Sequence, residues 1–109
     1  MADVAGDAIP LGAVEAAGDE DGAPVLRLTG EIDISNAEPL GDALEAIVGP
    51  DARRLVVDLE GLEFMDSAGI AMLLRTASRV DAVEIRNPSE VMRRIIECTG
   101  LTGIFRVTG

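Results

Sequence analysis

The sequence predicts an α/β fold with the element order β-β-α-β-α-β-α-β. Three observations carry this. Residues 24–33 alternate apolar and polar side chains, residues 37–47 switch to three-and-four spacing, and the apolar runs at 54–59 and 82–86 are each followed by a helical pattern. The first two strands form a hairpin and the later ones are joined by helical crossovers, which gives a mixed sheet of about five strands with three main helices.

Residues 1–8 are small and polar and read as a flexible tail, with 9–109 as one domain. Ile9 to Ala17 is the first strand candidate. Gly18-Asp19-Glu20-Asp21-Gly22 marks a hairpin with a longer loop. From Pro24 to Asp33, residues Leu26, Leu28 and Ile32 share one face with Gly30, and Arg27, Thr29 and Glu31 take the other, so one side is buried and one is wet. Ala37, Leu40, Leu44 and Ile47 then form a helical stripe, with Glu38, Asp42 and Glu45 off it. Two caps compete at its start. Ser35 with Glu38 makes a capping box, whereas Asn36 sets Pro39 at the third helical position, where no N–H is needed; Asn36 fits better for that reason. Gly49-Pro50 ends the helix.

Arg54 to Leu59 contains Leu55-Val56-Val57, an apolar run that suits a strand buried on both faces. A second helix starts near Asp66, with Ile70, Leu73, Leu74 and Ala77 on one face. Ala82 to Arg86 is a short strand. Pro88-Ser89 opens a third helix with Val91, Met92, Ile95 and Ile96 facing inward, and Gly100 is its left-handed stop, followed by apolar Leu101. Ile104 to Val107 is the last strand.

Composition excludes several classes of function. Of 109 residues 48% are hydrophobic, enough for one domain to bury a core, but only 2% are aromatic. The core is therefore aliphatic, with Phe64 and Phe105 as its only rings. There is no His, hence no Ser-His-Asp triad and no imidazole metal ligand. All nine cations are Arg, which removes a Walker A loop, a Schiff base and a Ser-Lys pair. The single cysteine, Cys98, reads as a small core residue near a helix end. The net charge is −11, and the first 23 residues hold six of the 20 acids and no Arg. Such a chain is repelled by phosphate backbones and anionic lipid, so no direct nucleic-acid or membrane binding is expected. The start, Met1-Ala2-Asp3-Val4, has no basic n-region and no apolar h-region, so no signal peptide is expected, and the longest uncharged runs, such as Ser67 to Leu74, have eight residues, too short to span a bilayer. A soluble cytoplasmic protein with no cofactor and no metal is the expectation.

The sharpest local feature is Phe64-Met65-Asp66-Ser67-Ala68-Gly69-Ile70. Asp66 is placed as an N-cap, which puts Ser67 in the first helical turn. Gly69 costs that turn about 1 kcal/mol relative to Ala, a sign that something approaches the backbone closely there. As a hydrolase nucleophile Ser67 lacks a base, and Met65 breaks the Gly-x-Ser-x-Gly pattern. As part of a phosphate loop it has one Gly and a repelling Asp66 beside it. As a phosphorylation acceptor it needs only exposure and a partner kinase. An ordinary helix cap and a phosphate acceptor both remain open on the residues alone. Asp58, after the buried strand, stands where receiver domains accept phosphate, but without Lys it reads as a strand-end or turn residue.

Five segments, Leu28-Thr29-Gly30-Glu31-Ile32-Asp33, Leu55-Val56-Val57-Asp58-Leu59, Phe64 to Ile70, Asn87-Pro88-Ser89 and Thr99-Gly100-Leu101, occur in the order and approximate spacing of the STAS domain. Over about residues 9–107 the chain resembles the bacterial anti-sigma factor antagonists (anti-anti-sigma factors). The resemblance implies a STAS-like mixed sheet and no enzymatic activity. It implies that Ser67 is phosphorylated by an anti-sigma factor that is itself a serine kinase, with a serine phosphatase as a further partner. It also implies a docking surface made of Asp33, Ser35, Asp66, Ser67, Ala68 and Gly69. Two departures stand out. Ala68 occupies a position where a second Ser is common, and the stretch from Ile70 to Arg86 is about one helical turn shorter than usual. The alternative is a STAS scaffold in a stress-signalling or lipid-transport complex, with Ser67 a cap and no switch.

Overall fold

A computed structural model describes residues 12–108. The segment 1–8, expected as a tail, and the beginning of the first predicted strand lie outside the described residues. The strands are β1 (Ala13–Glu20), β2 (Ala23–Ile32), β3 (Arg54–Asp58), β4 (Leu62–Met65), β5 (Ala82–Arg86) and β6 (Phe105–Thr108). The helices are α1 (Ala37–Val48), α2 (Ser67–Ala77) and α3 (Glu90–Cys98), and a 3-10 turn spans Leu101–Gly103.

The sheet order is β1-β2-β3-β5-β6, with β4 also paired to β2. Among the described strands the β1–β2 hairpin is antiparallel and the other pairings are parallel. The hairpin turn is tighter than the predicted loop. Asp21 and Gly22 both take positive φ, 54° and 86°, the two-residue turn whose twist matches its strands, and Glu20 pairs with Ala23. The acidic stretch therefore belongs to the strand, which bulges between Ala16 and Gly18. An edge strand with exposed side chains tolerates those acids.

Strand β4 adds a sixth strand to the expected five. β2 is long enough to pair twice: Val25–Arg27 with β3, then Gly30–Ile32 with β4. The chain leaves β3 at Asp58, whose carboxylate accepts from the Glu60 N–H at 3.0 Å, turns, and rejoins the edge of β2 through a Gly30 N–H to Gly61 carbonyl bond of 3.0 Å. Within β4, Leu62 and Met65 are buried while Glu63 and Phe64 face out. That pattern has neither period two nor a continuous apolar run, so it carries no strand signal.

All three helices cover one face. Leu44 of α1, Leu73 of α2 and Ile96 of α3 join Leu26, Leu28, Leu55, Val57, Ile85 and Phe105 in one core. The other face holds only a small cluster of Ala23, Val25 and Val56. Several inward assignments shift. In α1 the buried stripe is Ala37, Gly41, Leu44 and Val48, with Leu40 and Ile47 at its margin. In α2 it is Gly69, Met72, Leu73, Thr76 and Ala77, with Ile70 and Leu74 at the margin. Val91 of α3 is largely exposed, because no described residue packs over that side of the helix. Cys98 is also exposed, not a core residue. Phe64 is half exposed, which leaves Phe105 as the only ring in the described core. The stops at Gly49 and Gly100, both at positive φ, and the Ser89 cap on the Met92 N–H at 3.1 Å stand as read. Among the described residues no helix is long and apolar enough to cross a membrane.

Candidate functional site

The site lies where two parallel strands end together. Ile32 of β2 pairs with Met65 of β4, and the Asp66 N–H donates to the Ile32 carbonyl at 3.1 Å. The next residue on each chain is an aspartate, so the sheet itself sets Asp33 and Asp66 at neighbouring strand ends. From there the chain enters α1 on one side and α2 on the other. The two helices pack directly, with Gly41 of α1 against Met72 of α2.

Asp66 caps α2 as its position predicts. Its Oδ1 accepts from the N–H groups of Ala68 at 2.8 Å and Gly69 at 3.3 Å, which satisfies two donors that the helix leaves unpaired. Ser67 is the first helical residue, is exposed, and its hydroxyl has no hydrogen-bond partner among the described residues. Ala68 is half-buried against the core margin. Gly69 is buried at the start of α2. A Cβ there would stand 2.4 Å from Met65 Cγ and 3.1 Å from Ile32 Cγ2. The close approach that Gly69 serves is internal, between α2 and the two strands that end beside it.

The turn after β2 is tied differently. The Asp33 carbonyl accepts from the N–H groups of Asn36 at 3.1 Å and Ala37 at 2.9 Å. Asp33 Oδ1 accepts from the Ser35 N–H at 2.9 Å and also from the Ser35 hydroxyl. These two bonds, the hydroxyl's first, hold the Asp33 carboxyl below its ordinary range, because both favour the charged form. Asn36 begins α1, yet its side chain caps no helical N–H. Its Oδ1 accepts from the Asp33 N–H at 2.9 Å and its Nδ2 donates to the Glu31 carbonyl at 2.9 Å, so it fastens the turn to the strand. The alternative Ser35–Glu38 capping box does not form, since Asp33 takes the Ser35 hydroxyl.

The sheet thus brings Asp33, Ser35, Asp66, Ser67 and Ala68 to one end of the domain. Sequence spacing does not single out Ile34, which lies between Asp33 and Ser35 with 84% of its surface exposed. The available signal is an isoleucine that falls inside a polar turn and outside both flanking apolar patterns. Ile34 borders a shallow groove lined by Ala37 and Glu38 of α1 and by Ala68, Ala71 and Arg75 of α2.

The family description "Mlab, STAS domain" matches residues 16–107. The chain belongs to the STAS domain family. Among its relatives, this STAS protein is 34% identical over 92 residues to the anti-sigma-F factor antagonist RsfB of Mycobacterium tuberculosis, which covers 82% of this chain and 75% of RsfB. It is 34% identical over 82 residues to the anti-sigma F factor antagonist of Lysinibacillus sphaericus, with 71% of this chain and 70% of that one covered. Among solved structures, an anti-sigma factor antagonist from Mycobacterium paratuberculosis superposes with a TM-score of 0.69 at 33% identity, covering 87% of this chain and 85% of that one. The unphosphorylated form of the antagonist SpoIIAA superposes at 0.71 with 21% identity, over 89% of each chain. At that identity the likeness establishes the fold, a six-stranded mixed sheet with three helices.

Proposed function

We propose that this STAS domain is an anti-sigma factor antagonist that binds an anti-sigma factor serine kinase when unmodified, releases the sigma factor, and is switched off by phosphorylation of Ser67. The observation that carries the proposal is the exposed Ser67 hydroxyl at the start of α2, with no partner among the described residues. Relatives that bear the antagonist name support the general role. In the transfer step, Ser67 Oγ bonds to the terminal phosphorus of ATP held by the kinase, the bond to ADP breaks, and the hydroxyl proton passes to a base on the kinase. This chain has no His or Lys to receive it. A phosphatase restores the hydroxyl by hydrolysis.

The switch is electrostatic. Phosphorylation adds about −1.5 to −2 charge at pH 7. The Ala68 and Gly69 N–H groups that would welcome a phosphate are already bonded to Asp66. The new group therefore stands beside the Asp66 carboxylate. Like charges brought together in a desolvated interface cost several kcal/mol, and about 1.4 kcal/mol is tenfold in affinity. Loss of two or more decades of affinity is enough for a switch.

The test is binding of wild type, Ser67→Ala and Ser67→Asp to purified kinase, with phosphate located by mass spectrometry. Ser67→Ala is expected to bind like wild type and take no phosphate, and Ser67→Asp to bind at least about a hundredfold more weakly. A Ser67→Asp variant that binds as tightly as wild type, with no phosphate on Ser67 of the wild type, overturns the switch and leaves a constitutive scaffold.

A further inference from the structure

We propose that Ile34 is the apolar anchor by which this domain grips its partner: a protein surface with an apolar pocket for Ile34, ringed by basic groups. The inference rests on the antagonist reading above and adds the residue and the chemistry that make the grip.

Ile34 is the most exposed large apolar side chain among the described residues, at 84%. It is not a loose loop residue. Asp33 and Asn36 close the turn around it with side-chain and backbone bonds on both flanks, so the backbone that carries it has little freedom. A β-branched side chain on a fixed backbone has few rotamers left to lose, so its burial in a partner costs little ordering entropy. A rigid, desolvatable apolar group at the middle of a contact is where binding energy concentrates.

The surroundings fix the partner's chemistry. Beside Ile34 the groove floor is Ala37, Ala68 and Ala71, flat enough for a partner to lie close. Ala68 directly follows Ser67, so this apolar strip is continuous with the hydroxyl that the proposed kinase must reach. Glu38 lines the strip opposite Arg75, and the charged Asp33 immediately precedes Ile34 in the same turn, on a chain of net charge −11. A second copy would set like charges against each other, whereas a partner with basic groups opposite Asp33 and Glu38 is complementary.

The experiment measures the affinity of wild type, Ile34→Val and Ile34→Ala for the purified anti-sigma factor serine kinase that binds wild type, at low and at high salt. Ile34→Ala is expected to bind about thirtyfold more weakly, the loss that marks an interface anchor, and Ile34→Val about fourfold, the loss of one buried methylene. Both factors stay the same at high salt, because apolar burial is not screened, while all three affinities fall together as the charged rim weakens. Thermal midpoints stay unchanged, since the side chain is in solvent. Ile34→Ala binding like wild type overturns the anchor and leaves the antagonist reading intact. So does a loss that disappears at high salt, or a wild-type dimer in sedimentation that Ile34→Ala dissociates with kinase affinity unchanged. If wild type binds no kinase and Ser67 takes no phosphate, the antagonist reading fails, and the anchor fails with it.

Discussion

Strands β2 and β4 run side by side, and each leaves the sheet through an aspartate followed closely by a serine, yet the two serines have opposite fates. In both turns the carboxylate reaches the N–H of the second residue on: Ser35 from Asp33, Ala68 from Asp66. In Asp33-Ile34-Ser35 the hydroxyl belongs to that same second residue, so the carboxylate captures it too. In Asp66-Ser67-Ala68 the hydroxyl sits one residue earlier, the carboxylate passes over it to Ala68 and Gly69, and the hydroxyl is left free. A shift of one position separates a serine that stiffens a turn from a serine that is available for chemistry. The first turn holds a shape; the second presents a group.

Breaking the first turn has the largest expected effect on stability. Asn36→Ala removes the acceptor of the Asp33 N–H and the donor to the Glu31 carbonyl. At about 1 kcal/mol for each hydrogen bond the loss is about 2 kcal/mol, read as a lower urea midpoint. The variant is also expected to weaken kinase binding although Asn36 need not touch the partner, since Ile34 is no longer held in place. A midpoint equal to wild type would show that water replaces both bonds and that the turn does not depend on Asn36.

The second turn is sharpened by Gly69→Ala. Helix propensity alone makes this variant more stable by about 1 kcal/mol. The added Cβ meets Met65, which is 3% exposed and has no open space to move into. Overpacking of a closed site costs about 1–3 kcal/mol, so a net destabilisation of about 1 kcal/mol is expected, against the propensity scale. A variant more stable than wild type in the same urea titration would mean that Met65 repacks freely and that Gly69 serves something outside the domain.

Much of this was legible in the sequence for a physical reason. Strand β2 has one wet face, so its alternation is sharp, and the caps at Asp66 and Ser89 follow from side chains that bond their own local backbone. What was not legible depends on partners far away in the chain. Strand β4 exists because β2 is long enough to pair twice, a property of neither segment alone. Gly69 shows a packing need that comes from Met65 and Ile32. Val91 and Cys98 lie on a side of α3 that no described residue covers, and the three-and-four spacing of α3 cannot tell a covered side from a bare one. The acceptor candidate was readable because its position is local; its proximity to Asp33 was not, because that follows from the Ile32–Met65 register.

The smallest expected effect tests the Asp33–Ser35 bond through pH. The Asp33 carboxyl lies below its ordinary value of 3.8, first because the Ser35 hydroxyl bonds its charged form and second because the Ser35 N–H does. A carboxylate whose folded value is depressed contributes stability above its unfolded value and loses it as pH falls through the folded value. Ser35→Ala removes the larger of the two causes, so the Asp33 carboxyl is expected to titrate closer to 3.8 in the variant, followed by its carbon resonance in NMR. The stability difference between wild type and Ser35→Ala is then constant from neutral pH down to about 4, and shrinks below it as both proteins protonate Asp33. The matching control is Ser67→Ala, which removes a hydroxyl that Asp66 does not hold. It is expected to leave acid unfolding as it is in wild type. Equal titration of Asp33 in wild type and Ser35→Ala, or an acid shift in Ser67→Ala, would erase the distinction between the captured serine and the free one.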